Sequence, residues 1–282
     1  MRSFLKRYSN GVLPRRAPVP SNEDLLWAHL REVPAFRALL RSVEARFYRG
    51  LCLSGPVLDL GCGDGHFASL ALSALTPVGM DLSAGALREA VRRRVYRAVV
   101  RADAAYLPFR SEVFGTVVSN SVLEHIPGVE AVLAEVSRVL KPGGRLVFSV
   151  PSEHFAEYLS VGRILERLGL GRLAAAYRRF FNRISRHFTC ESPAWWATRL
   201  RAVGLEPLEY RYYFSPGAVA LLEWGHLYGV PALGFKKLLG RWVLAPWTWN
   251  LWPVERVLRR FYLEAPASTG AYFFMIAAKT FN

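Results

Sequence analysis

Apolar positions follow two rhythms along the chain. Between residues 56 and 150, short apolar runs alternate with stretches of helical spacing. "PVLDL" (56–60), "PVGMDL" (77–82), "YRAVV" (96–100), "FGTVVSN" (114–120) and "RLVFSV" (145–150) are brief and apolar, and several are bounded by Gly or Pro, which predicts strands. The segments 66–75, 83–94 and 128–140 repeat apolar residues at helical intervals. Strands and helices in turn predict βαβ units with right-handed crossovers, hence a parallel sheet covered on both faces. "KPGG" (141–144) predicts a sharp turn from helix to strand.

Outside this block the rhythm changes. Residues 1–20 read as a flexible basic arm without the apolar run of a secretory signal. Residues 21–50 read as N-terminal helices, capped at Ser21 with Asp24 three residues later and interrupted at Pro34. Phe36, Leu39, Leu40, Val43 and Phe47 then share one helical face. Residues 152–187 form an Arg-rich helical lid, and 161–189 holds seven arginines against one glutamate. A further helix and a sixth strand follow over 188–214, and 269–282 supplies a closing strand. These two segments complete a core begun at 51–151, while 215–268 reads as a Trp-rich helical insertion.

Composition narrows the class. With 52% hydrophobic and 21% charged residues, a folded core is available and disorder is excluded. The net charge of +15 favours a polyanionic neighbour, either nucleic acid or an anionic membrane face, although the excess is mostly Arg rather than Lys. Cys52, Cys62 and Cys190 form no pair motif, so neither a disulfide framework nor a metal site is expected, and the setting reads as cytoplasmic.

The chemistry-bearing stretch is "VLDLGCGDGHF" (57–67). Asp59 ends the first strand and Gly61, Gly63 and Gly65 follow before a helix begins. Ligands of parallel sheets bind beyond the carboxyl ends of strands, where glycine lets them approach the main chain. A dinucleotide fingerprint would need a third glycine at position 66, which is His66, and Asp59 would repel a diphosphate. Asp81 ends the second strand about 20 residues later and suits ribose hydroxyls. "RADAAYLPF", "FGTVVSNSVLEHIP" and "EVSRVLKPGGRLVFSVP" follow in order.

In this order and spacing, these motifs resemble the class I S-adenosylmethionine-dependent methyltransferases, in particular the ubiquinone/menaquinone-biosynthesis-type (methyltransferase type 11) branch. The resemblance covers 55–151 and extends more weakly over 188–210. It implies an α/β fold: a Rossmann-like, doubly wound sheet of seven strands, mostly parallel, with an antiparallel last strand. It implies that Asp59, Gly61, Gly63 and Gly65 hold the methionine moiety of S-adenosyl-L-methionine, that Asp81 takes the ribose and that Leu82 lies beside the adenine. Asp103 and Ala104 would meet the adenine edge, and Ser119 and Asn120 would line the sulfonium region.

Methyl transfer needs alignment and, for a hydroxyl or acidic carbon, a base. His125 in "LEHIP" is the first candidate for that base and His187 the second, while His66 reads as a helix-start residue. The alternative for His125 and Glu124 is bracing of the loop. "SNSV" (119–122) lacks the tetrad of amino-group methylases acting on adenine. The favoured acceptor is a small lipophilic or lipid- or glycan-linked molecule. An RNA methyltransferase using Arg178, Arg179, Arg183 and Arg186 as a phosphate track is the alternative, and a non-catalytic, membrane-docked scaffold the third reading. Trp224, Trp242, Trp247, Trp249 and Trp252 lie among Lys236, Lys237 and Arg241, a composition suited to the inner membrane face, to packing or to an aromatic pocket.

Overall fold

The computed structural model describes residues 23–228 and 230–281, so the expected arm at 1–20 and the cap at Ser21 lie outside the described residues. The first described helix, α1 (Leu25–Leu30), is capped by Asp24 itself, whose Oδ1 accepts from the backbone N–H of Leu26 and Trp27. Pro34 separates it from α2 (Ala35–Tyr48), as the sequence predicts.

Seven strands form one sheet: β1 (Val57–Leu60), β2 (Val78–Asp81), β3 (Ala98–Arg101), β4 (Phe114–Asn120), β5 (Leu140–Pro151), β6 (Leu205–Tyr213) and β7 (Tyr272–Lys279). Their order is β3-β2-β1-β4-β5-β7-β6. β1 to β5 pair in parallel, and β7 runs antiparallel between β5 and β6. The antiparallel last strand is thus inserted within the sheet rather than added at its edge. The chain leaves β1 toward β2 on one side and returns with β4 on the other, so the switch point opens between β1 and β4.

The crossover helices are α3 (His66–Ala71), α4 (Ala84–Arg93) and α5 (Val129–Val139). The expected turn at "KPGG" lies inside β5 as a bulge: Leu140 pairs with Phe114 and Arg145 with Thr116, leaving 141–144 opposite Gly115. Side chains alternate between two cores, as a sheet covered on both faces requires. Val118, Val147, Phe274 and Ile276 face the N-terminal helices. Val117, Leu146, Phe148 and Phe273 face α5 and Trp196 of α9 (Pro193–Ala202).

The lid contains α6 (Phe155–Tyr158), α7 (Ser160–Arg167) and α8 (Gly171–Ser185). The Trp-rich segment contains α10 (Pro216–Tyr228), α11 (Val230–Leu239) and α12 (Thr248–Tyr262). α12 packs on α1 and α2, and α10 on α2 and the lid. Glu223 clasps the lid from α10. Its fully buried carboxylate accepts from Ser160 N at 2.6 Å, Val161 N at 3.2 Å and Tyr177 OH at 2.6 Å, satisfying the start of α7. Among the described residues no helix is long and apolar enough to cross a membrane.

Candidate active site

The rim built by β1 and β2 brings six of the expected residues together: Asp59, Gly61, Gly63, Gly65, Asp81 and Leu82. Gly61, Gly63 and Gly65 all have positive φ, which only glycine adopts freely. At Gly61 a Cβ would lie 2.4 Å from Val122 Cγ1, so that glycine lets the turn pack under the end of β4. A Cβ at Gly63 would meet nothing within 4 Å, so this glycine leaves its backbone open on the solvent side. Gly63 N–H donates to Asp81 Oδ2 at 2.9 Å, and Ser83 N–H donates to Asp81 Oδ1 at 2.8 Å. Each carboxylate oxygen of Asp81 keeps further acceptor capacity for a ligand hydroxyl. Leu82 beside it is exposed.

Asp59 is buried, and Tyr96 OH donates to its Oδ2 at 2.6 Å. Burial pushes its carboxyl up to about 6; the Tyr96 hydrogen bond opposes this and the Asp81 charge adds to it. Tyr96 was not predicted. Its ring lies where side chains at Gly65 and Gly79 would project, within 2.9 Å of either Cβ position. A tyrosine amid two glycine-lined strand ends was its one signal.

Asp103 is exposed, with Oδ1 accepting from Ala105 N–H, and Ala104 follows it beside the end of β3. Asn120 and Ser119 stand differently from expectation. The Asn120 amide donates to Glu44 at 2.6 Å and accepts from Ser149 Oγ at 2.8 Å, while Ser119 is fully buried with its hydroxyl unpartnered among the described residues. Ser121 is the residue of this run that reaches the adjacent cavity, with a strained φ of 51°.

That cavity, of about 350 Å³, lies beyond β4 under the lid. Its wall includes Phe36, Arg37 and Arg41 of α2, Glu124 and His125 after β4, His187 after α8, and Trp242. Glu44, one turn from Arg41, is fully buried and organises the floor. Its carboxylate accepts from Arg41 Nη1 at 2.8 Å, Asn120 Nδ2 at 2.6 Å, Ser121 Oγ at 2.8 Å and Tyr213 OH at 3.1 Å. Sequence periodicity placed position 44 beside the apolar face of α2 but gave no sign of these partners.

The two candidate bases meet here. The His125 and His187 rings are stacked with centroids 5.5 Å apart. His125 Nδ1 lies 2.9 Å from the Arg186 carbonyl oxygen, which can only accept, so Nδ1 carries the proton and Nε2 is left with its lone pair. Burial lowers the pKa of His125, and burial brings His187 down to about 3. Burial pushes the neighbouring Glu124 carboxyl up to about 8, and its Oε2 has no hydrogen-bond partner among the described residues. Glu124, His125 and His187 place one donor atom each within 4.8 Å of one another, a grouping of possible ligand atoms that the cysteine-based expectation of no metal site did not address.

His66 is more than a helix-start residue: its Nε2 lies 2.8 Å from His29 Nδ1 and its Nδ1 3.2 Å from Glu32. Arg93 also donates to Glu32, at 2.7 Å, so this buried chain pins α1 against the glycine turn. The His66 hydrogen bond, aided by Arg93, holds Glu32 down at about 2.

Known proteins are similar to this chain in sequence and in fold. The family described as "Methyltransferase domain" matches residues 58–148. A malonyl-[acyl-carrier protein] O-methyltransferase of Methylococcus capsulatus is 33% identical over 41% of this chain and 46% of its own length. A demethylmenaquinone methyltransferase of Symbiobacterium thermophilum is 32% identical over 38% of this chain and 46% of its own. The chain thus spans less than half the length of these curated relatives. An S-adenosylmethionine-dependent methyltransferase of Thermotoga maritima superimposes with a TM-score of 0.51 and 18% identity, covering 88% of this chain and 91% of that one, which speaks to fold alone. Residues 58–148 thus carry the match to the methyltransferase-domain family, and the seven-stranded fold that contains them is similar to that of the Thermotoga maritima protein.

Proposed function

We propose that this chain methylates a small lipophilic acceptor seated in the cavity beyond β4. The observation that carries the reading is the cavity itself: about 350 Å³, walled by Phe36, Leu40, Leu222, Trp242 and Tyr272, and set beside the switch point of the sheet. S-adenosylmethionine, when bound, supplies a methyl group on a sulfonium for in-line displacement. Asp59 and the glycine turn hold its methionine end, Asp81 its ribose, and Leu82, Asp103 and Ala104 its adenine. The rim observations fit this ligand: an open backbone at Gly63, a desolvated carboxylate at Asp59 for an ammonium, and spare acceptor capacity at Asp81.

His125 serves as general base. Its unprotonated Nε2 can take a proton from an acceptor hydroxyl or acidic carbon. The lid and α10 wall the cavity on one side, with Glu223 fastening the two together. The RNA reading draws less support, because Arg178 is engaged by both carboxylate oxygens of Glu166 at 2.5 and 2.9 Å.

A labelled-methyl transfer assay on cell extract, fractionated into lipid, RNA and small-molecule pools, tests the reading. Label should enter the lipid pool; label confined to RNA would overturn it. The apolar exterior extends the same idea. Trp247, Trp249 and Trp252 are exposed, beside exposed Lys237, Arg241 and Arg256. This face attaches the enzyme peripherally to an anionic membrane. Flotation should require anionic vesicles and weaken with salt, and equal recovery with neutral vesicles at high salt would exclude the electrostatic attachment.

A further inference from the structure

Arg37 and Arg41 lie one turn apart on α2, so both guanidinium groups point along the same helical face, and both line the cavity. Arg41 donates to Glu44 through Nη1, leaving most of its five N–H donors uncommitted among the described residues. Arg37 makes neither a hydrogen bond nor an ion pair among the described residues; its Cζ lies 5.7 Å from the centroid of the Trp242 ring. Burial and the Arg41 charge lower its pKa, with Asp64 and Glu44 exerting smaller opposite pulls from beyond ion-pair range.

The other ionisable groups of the cavity do not balance these cations. Glu124 pairs with neither Arg37 nor Arg41 among the described residues, its one ionic neighbour being His125 at 3.7 Å, and His125, His187 and His226 can offer no negative charge. Glu44 stands behind Arg41, spent on four donors of the floor. A desolvated cation without a counter-charge is costly, and an arginine fork matches the two oxygens of a carboxylate or phosphate. The adjacent cations also set the field against a metal cation at Glu124, His125 and His187.

We propose that the acceptor carries an anionic head, a carboxylate or a phosphate, held by Arg37 and Arg41 while Phe36, Leu222, Trp242 and Tyr272 hold its apolar body. This rests on the reading of the cavity as the acceptor site and narrows the substrate class to acid-headed amphiphiles. Arg37 is a specificity-determining residue in this reading.

Calorimetry on the full chain, with decanoate, decyl phosphate and decanol as probes, tests it. The anionic probes should bind at least about tenfold tighter than decanol, the effect of one charge-assisted hydrogen bond or more. Arg37→Met should erase that preference and Arg37→Lys should keep part of it, with S-adenosylhomocysteine affinity unchanged in both as the control for folding. Whichever of decanoate and decyl phosphate binds tighter assigns the head group. Equal binding of decanol, or a preference that survives Arg37→Met, would overturn the inference while S-adenosylhomocysteine binding leaves the methyltransferase reading standing. Failure to bind S-adenosylhomocysteine would instead remove the reading underneath.

Discussion

The glycine rim and the cavity beyond β4 lie at the same end of one sheet, yet they are assembled in opposite ways. The rim is local. Its groups come from the ends of β1 and β2 and the turns after them, and its key bonds run between main chain and carboxylate, as from Gly63 N–H to Asp81. The cavity is distributed. Arg37, Glu124, His187, Leu222 and Trp242 belong to five segments far apart in the chain, brought together when α10 docks on α2 and the lid. Backbone geometry fixes the first site; side-chain networks and buried charge fix the second. Loss of one residue should therefore unsettle the cavity as a structure and the rim only as a binding surface.

The sharpest way to break this contrast is Glu44→Ala. It leaves Arg41, Asn120, Ser121 and Tyr213 without their common acceptor in a fully buried place. Removing one member of a buried charged pair costs about 3–5 kcal/mol, so denaturant unfolding should show a loss of that size. A loss under about 1 kcal/mol would mean that water already satisfies the floor.

At the rim, Asp81→Ala should act on binding instead. Loss of two ligand hydrogen bonds to a charged group should weaken S-adenosylhomocysteine affinity by about 100-fold or more, read by calorimetry. Thermal stability should change little, because Asp81 is half-buried and Gly63 and Ser83 can turn their N–H groups to water. Unchanged affinity would remove Asp81 from the ribose site.

The same contrast explains what could be read from the chain. The strands, their order of appearance and the rim were legible because each depends on short-range rules: β-rich runs, glycines at a strand end, an acid at the next. The cavity was not, because Arg37 and Glu44 sit on a helix whose apolar stripe looks like ordinary packing. Their meaning comes from partners up to 169 positions away, such as Tyr213. In the sequence Glu223 and His226 simply interrupt an apolar stretch. In space they are joints: Glu223 holds the lid, and the His226 ring packs 4.3 Å from that of Phe36. Trp242 turned inward to the cavity while Trp247 and Trp249 stayed exposed, a division composition alone could not make.

His125→Ala probes the cavity's chemistry rather than its architecture. His125 is more than a third exposed and makes one hydrogen bond, to the Arg186 carbonyl, so the fold should survive its loss. Transfer should slow by about 100-fold, the lower end for a lost general base, with S-adenosylhomocysteine affinity intact. An undiminished single-turnover rate would leave His125 only as a brace for the residue after α8.

Asp59→Asn gives the smallest effect and the most discriminating one, because it sets rim against fold. Folding raises the Asp59 carboxyl to about 6, chiefly by burial. A carboxyl whose pKa rises on folding binds its proton more tightly in the native state. Stability is therefore favoured below its unfolded value near 4 and declines as pH rises toward 6, staying lower above that. A shift of about two units sets an upper bound of about 3 kcal/mol on this penalty. Asparagine keeps an acceptor for Tyr96 OH but carries no charge. The ligand-free protein should gain about 1–3 kcal/mol at pH 7.5 and almost nothing at pH 4, measured by denaturant unfolding at both. A gain equal at the two pH values would show that charge is not the source. With the expected result, and with S-adenosylhomocysteine affinity falling in the same variant, the buried carboxylate is a stability defect retained for its charge, which places the strain of this molecule at its most local and most sequence-legible site.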